Sequence, residues 1–292
     1  MLPSRPLGPD IPAVSAIGFG GMPLSIANRP PESQAIRVMH AALDAGVTLL
    51  DTADVYCLDD DDIGHNEQLV AKALRTWSGA RERVVVATKG GLTRPAGRWE
   101  SNAHPDHLKQ ACDRSLEALG VERIDLYQLH RPDPAVPFAD SVGALAELCE
   151  RGKIRWIGLS NVSVAEIEEA RRIAPVQSVQ NRLNPFFREA LESGVVAHCA
   201  KHGIGFLAYS PTGGGRLTKK LPFHSVVAAL AERHGATAHA VILAWVLAQG
   251  PTVIPIPGAR TVEHAVDAIR SLALSLTGEE LGAIDRAEFS RA

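Results

Sequence analysis

Short apolar runs rich in β-branched residues alternate along this chain with longer segments in which apolar positions recur every three or four residues. The runs predict strands at Ala16–Gly20, Thr48–Asp51, Val84–Lys89, Asp125–His130, Ile154–Ser160, Ser178–Leu183, Gly205–Ser210 and Thr252–Pro257. The longer segments predict helices at Ser33–Ala45, Asn66–Trp77, Pro105–Leu119, Asp140–Glu150, Val164–Ile173, Glu189–Lys201, His239–Leu247 and Val262–Ile269. Gly46, Gly120, Gly152, Gly203 and Gly250 stand where helices should stop, as left-handed C-terminal residues. Runs such as VTLL and VVVA are apolar at consecutive positions, the pattern of parallel strands covered on both faces. Eight β-then-α units predict an α/β fold, a (β/α)8 TIM barrel.

A doubly wound sheet is the competing architecture. Its glycine fingerprint fails at Gly18-Phe19-Gly20-Gly21-Met22-Pro23, where proline replaces the last glycine, and no phosphate loop is present. The 292 residues would divide into two domains at about 150 each, but α/β barrels of about 250 residues fold as one. The expectation is therefore one barrel domain over 1–292. Outside the eight units, the stretch before Ala16, with Gly8-Pro9-Asp10 at its turn, reads as an N-terminal β-hairpin plugging the barrel floor. Leu221–His234 reads as an extra helix before the last units. The tail has capping-box spacing at Thr277 and Glu280.

Composition narrows the function classes. An apolar fraction of 46% and a charged fraction of 22% suit a soluble globule. A net charge of −3 disfavours a nucleic-acid surface. The longest apolar run, Ala240–Ala248, is nine residues, too short for a bilayer span, and the proline-broken start lacks a secretory apolar region. Four scattered cysteines read as thiols, so the expected location is cytoplasmic.

In a (β/α)8 barrel the chemistry sits at the carboxyl ends of the strands. There the chain offers Asp51 and Tyr56 after the second strand, Lys89 at the end of the third and His130 at the end of the fourth. Each alone has a structural explanation as a turn former, cap or hydrogen-bonder. Together they suit proton donation to a carbonyl oxygen. A phenol is a weak acid at neutral pH, and an adjacent ammonium is expected to pull its pKa down. Asp51 would hold Lys89 charged, and His130 would hydrogen-bond the substrate oxygen.

The segments GVTLLDTADVY, GHNEQLVAKAL, VVVATKGG, RIDLYQLHRPDP, KIRWIGLSNVS, SVQNRLNP, FLAYSPTGGGRL and TVIPIPGAR closely resemble the aldo-keto reductase superfamily, in the family's order, from about Gly18 to Arg270. Asp51, Tyr56, Lys89 and His130 resemble its complete catalytic tetrad. The resemblance implies NADPH/NADP+ lying across the barrel mouth. It implies that Ser160, Asn161 and Gln180 hold the carboxamide and that Tyr209 stacks on the nicotinamide. The turn containing Ser210, Pro211, Gly213 and Leu217 would supply amides to the pyrophosphate, although glycines there suit a flexible loop equally well. Gly258 and Arg260 resemble the segment that grips the adenosine 2′-phosphate. Where a Glu-Asn pair often reads adenine, this chain has Asp267 and Ala268, with His264 one turn earlier as partial compensation, so NADH also remains possible.

The function so implied is NADPH-dependent reduction of aldehydes or ketones. An NAD(P)-dependent sugar or alcohol dehydrogenase and a cofactor-binding regulatory subunit are the alternatives. Partners are expected to be a small carbonyl or alcohol substrate, with no nucleic acid and no membrane, in a monomer or small homo-oligomer. No metal is called for: the Asp59–Asp62 run fails as a calcium loop because Ile63 and Val70 fall at ligand positions, which leaves a solvated turn. Trp99 is a candidate substrate wall or a loop anchor. Cys57 is an oxidant-sensitive thiol or a small buried filler. The short loop Arg131–Phe138 predicts a shallow, open pocket.

Overall fold

The structure, a computed structural model, describes residues 2–292. Eight parallel strands form the sheet in chain order: β1 (Phe19–Gly20), β2 (Leu49–Asp51), β3 (Val85–Gly90), β4 (Ile124–Leu129), β5 (Ile154–Ser160), β6 (Val176–Arg182), β7 (Gly205–Tyr209) and β8 (Val253–Pro255). Backbone hydrogen bonds from Gly18 to Pro255 (2.9 Å) and from Gly20 to Pro257 (3.0 Å) join the first strand to the last and close the barrel. Closure leaves the sheet no free edge. The outer helices are α1 (Glu32–Asp44), α2 (His65–Thr76), α3 (Pro105–Leu119), α4 (Phe138–Glu150), α5 (Val164–Arg171), α6 (Val195–His202), α7 (Ala238–Leu247) and α8 (Val262–Arg270).

Strand alternation sorts the residues. Leu50, Val86, Tyr127, Phe206 and Val253 face outward into the helical shell. Their neighbours Leu49, Ala87, Leu126, Leu207 and Ile254 form a separate interior cluster. The N-terminal hairpin completes that cluster from below, as expected. Ser4–Arg5 pairs antiparallel with Val14–Ser15, and Leu7, Ile11 and Val14 pack into the barrel floor. The Arg5 guanidinium donates to the carbonyls of Leu247 and Gly250, both at 2.9 Å, tying the hairpin to the end of α7. Gly205 is required at the contact, because a Cβ there would meet the Leu7 carbonyl oxygen at 2.2 Å. Leu7 is fully buried, so Leu7→Ala is expected to cost about 2–5 kcal/mol. Urea unfolding measures this, and an unchanged midpoint would show that the plug does not contribute to stability.

Most predicted element ends lie within two residues of the observed ones, with larger differences in a few elements. The predicted helix Glu189–Lys201 is split into Glu189–Glu192 and α6, because Gly194 turns left-handed at φ +79°. The first strand is reduced to two residues. The extra helix before α7 is present as Ser225–Arg233, preceded by a short turn at Leu221–Phe223. The Thr277–Glu280 capping box closes reciprocally at the start of the last helix, Gly278–Arg286. Among the described residues, no helix is long and apolar enough to cross a membrane.

Candidate active site

Two residues above the apolar floor, the same alternation turns polar side chains inward: Asp51 follows Leu49, Lys89 follows Ala87, Gln128 follows Leu126 and Tyr209 follows Leu207. Lys89 is fully buried and Asp51 nearly so. The Lys89 ammonium donates to Asp51 Oδ2 at 2.7 Å, to the Thr52 carbonyl at 2.8 Å and to the Tyr56 hydroxyl at 3.0 Å. All three of its protons are therefore used. The second Asp51 oxygen accepts from Gln180 Nε2 at 2.7 Å and from Gln128 Nε2 at 3.4 Å. The carboxylate is thus fixed by three side chains from three strands. The Lys89 pKa lies above its ordinary value: burial opposes the charge, but Asp51 and the Tyr56 oxygen outweigh it.

The expected lowering of the Tyr56 pKa is not found. Burial dominates and pushes the phenol up to about 12, while Lys89 pulls down and Asp51 pushes up. The phenol is thereby kept protonated at neutral pH. The His130 ring lies 5.8 Å from the Tyr56 ring, edge to face, and burial, Lys89 and Arg131 hold its pKa well below the ordinary value. A neutral imidazole results, and its Nδ1 is buried without a hydrogen-bond partner. Trp99 completes a three-ring corner, 6.3 Å from Tyr56 and 6.5 Å from His130. It is 44% exposed.

The β2–α2 segment that carries Tyr56 is held by groups the sequence reading did not single out. Asn66 is fully buried, accepts from Thr52 Oγ1 at 2.6 Å and donates to the Gly21 carbonyl at 2.9 Å. Thr88, next to Lys89, donates to Glu67 at 2.5 Å, and burial raises the Glu67 carboxyl to about 7. Arg94 donates to the carbonyls of Cys57 (3.1 Å) and Leu58 (3.0 Å), just after Tyr56, and stacks its guanidinium 3.9 Å from the Trp99 ring. One buried arginine thus holds both the Tyr56 loop and the Trp99 ring. This contact fits the loop-anchor reading of Trp99. Cys57 is fully buried and burial raises its thiol pKa to about 11, which fits the filler reading.

The other predicted residues lie in β5, β6 and β7 and in the segments that follow β5, β7 and β8. Ser160 donates to the Gln180 carbonyl at 2.8 Å. Asn161, left-handed at φ +60°, donates to the His130 carbonyl and accepts from the Tyr209 hydroxyl at 2.8 Å. Ser210 is also left-handed (φ +47°), and its carbonyl accepts from Asn184 at 2.8 Å and from the Gly213 amide at 2.9 Å. Pro211, Gly213 and Leu217 follow in the same turn, in which the amides of Gly214 and Gly215 make no hydrogen bond among the described residues. Gly258 sits against Pro23 and Gly20 with no room for a Cβ. Arg260 is tied to the carbonyls of Pro23 and Ala27, both at 3.0 Å. His264 is exposed in the first turn of α8, and Asp267 accepts from Thr237 at 2.6 Å. The acidic run is a short surface turn in which Asp59 caps the Asp61 amide and Asp62 pairs with Arg29.

The profile of the Aldo/keto reductase family matches residues 16–288. The glycerol dehydrogenase from Gluconobacter oxydans superposes with a TM-score of 0.84 at 30% identity, covering 97% of this chain and 94% of that one. An aldo-keto reductase from Klebsiella pneumoniae, solved in complex with NADPH, gives 0.82 at 30% identity over 98% and 95%. The holo form of an aldo-keto reductase from Bacillus halodurans gives 0.81 at 28% identity over 99% and 98%. A match over nearly the whole chain, in both sequence and fold, leaves one conclusion: the chain belongs to the aldo/keto reductase family.

Proposed function

We propose that this protein reduces aldehydes or ketones to alcohols with NADPH, Tyr56 acting as the proton donor. The observation that carries the reading is the Lys89 ammonium bonded at once to Asp51 and to the Tyr56 hydroxyl in a buried site. The residues at the mouth fit the dinucleotide. The unpaired amides of Gly214 and Gly215 suit a pyrophosphate. Gln180 Oε1 accepts no hydrogen bond among the described residues and suits a carboxamide donor, alongside Ser160 and Asn161. Arg260 Nη1 is likewise uncommitted and suits a phosphate, with Gly258 and His264 beside it. Bound there, the dinucleotide supplies a hydride to the substrate carbonyl carbon.

The chain's own groups manage the proton. Tyr56 holds it on a phenol kept neutral by burial and gives it to the carbonyl oxygen. The phenolate that remains keeps its hydrogen bond from Lys89, whose charge Asp51 sustains. His130, neutral, orients the same substrate oxygen by a hydrogen bond, and Trp99 walls the pocket. The reverse reaction, oxidation of an alcohol or sugar, uses the same groups. It is favoured as a second reading by the adenine end, where Asp267 is occupied by Thr237 and Ala268 offers no amide.

Thermal shift separates the cofactors. A ligand at 100 times its Kd stabilises the folded state by about 2.7 kcal/mol. NADPH is expected to raise Tm more than NADH at equal concentration. Equal shifts would overturn the cofactor assignment.

A further inference from the structure

We propose that Glu168, His198 and His202 form a binding site for a transition-metal dication of the zinc class on the outer wall of the barrel. The two histidines are four residues apart on α6, so both rings leave the same face of the helix. Their centroids are 4.5 Å apart. Glu168 reaches across from α5, with Oε1 3.0 Å from His198 Nε2. One donor atom from each of the three residues lies within 4.8 Å of the other two.

Two imidazole nitrogens and a carboxylate oxygen are a donor set that zinc accepts, with water in the fourth position. At the usual zinc distances, tetrahedral ligand atoms lie about 3.3 Å apart. All three residues are partly exposed, and closing the difference requires their side chains to rotate. His198 Nε2 points to the same ligand independently. It is buried from solvent, and despite its approach to Glu168 it makes no hydrogen bond of acceptable geometry. A buried ring nitrogen left without a hydrogen bond gains a partner when it ligates a cation.

The surroundings support a cation in two ways. Arg171 donates to Glu168 Oε1 from one turn along α5, which fixes the carboxylate and leaves Oε2, which accepts no hydrogen bond among the described residues, for the ion. His202 is the last residue of α6, where the carbonyl end of the helix dipole favours positive charge. Arg171 and Lys201 oppose the ion electrostatically and weaken the site, and Arg171 also occupies Glu168 Oε1, so the ion takes Oε2. Because the helices run antiparallel to the strands, the end of α6 lies towards the barrel floor, away from Tyr56. The ion would link α5 to α6 and leave hydride chemistry untouched.

Titration calorimetry of the tag-free, chelator-stripped full chain with zinc chloride tests the site. The expected result is one zinc per chain, with a rise in Tm. His202→Ala alters a partly exposed residue at a helix end. It is expected to weaken zinc binding at least 10-fold and to abolish the Tm rise, with the carbonyl reductase rate unchanged. Glu168→Gln is expected to weaken it as well. Absence of saturable binding, or a zinc affinity that neither substitution alters, would overturn the assignment.

Discussion

Tyr56→Phe is expected to lower kcat for carbonyl reduction by about 10²–10⁴-fold, the range general acid catalysis contributes. The substitution removes one oxygen and leaves the ring, so the edge contacts to Trp99 and His130 persist. Substrate KM and the NADPH-induced Tm shift should therefore change little. Lys89 loses one acceptor but keeps Asp51 and the Thr52 carbonyl, which guards the fold. The pH profile carries a second signature. With the phenol pushed up to about 12, the acid stays protonated through neutral pH. The alkaline limb of wild-type reduction that belongs to the phenol should then lie well above the ordinary tyrosine value of about 10. A profile falling near pH 7 would contradict the burial of Tyr56. A Phe variant with wild-type turnover would remove Tyr56 from the mechanism altogether.

What the sequence made legible follows from alternation. In strands packed on both faces, a charged residue in an apolar run stands out, and Asp51 and Lys89 do so at equivalent depth. Gln128 was equally visible between Tyr127 and Leu129, but an amide in a strand signals nothing until its acceptor, Asp51, is seen at 3.4 Å. Arg94 was hidden for a different reason. It works through the backbone carbonyls of Cys57 and Leu58, which carry no sequence signature. The direction of the Tyr56 pKa was also out of reach. The sign is a balance between desolvation and the Lys89 charge, and only the fold fixes how completely the ring is buried. The His-x3-His spacing of α6 was readable, whereas its third donor, 30 residues upstream, becomes a neighbour only when α5 and α6 wind onto the same wall.

The largest stability effect belongs to the pair at the centre of the site. Asp51→Leu is expected to destabilise the fold by about 3–5 kcal/mol, because Lys89 would remain fully buried with only the Thr52 carbonyl and the Tyr56 hydroxyl as acceptors. Lys89→Met should cost a similar amount, leaving a buried carboxylate held only by the amides of Gln180 and Gln128. The two losses should not add. A buried ion pair is offset by its own desolvation, and replacing both members by apolar groups of similar volume is often close to neutral. The Asp51→Leu/Lys89→Met variant is therefore expected to be more stable than either single variant. It should also be catalytically inactive, because nothing would then stabilise the Tyr56 phenolate. Urea midpoints for the wild type and the three variants, read beside NADPH oxidation, separate the two roles. A double variant as unstable as the sum of the singles would mean that the pair is a net source of stability. A double variant that recovers both stability and activity would mean that it is needed for neither. Recovery of stability without activity is the outcome that the geometry predicts: a charged pair retained inside the barrel for the proton it controls rather than for the fold.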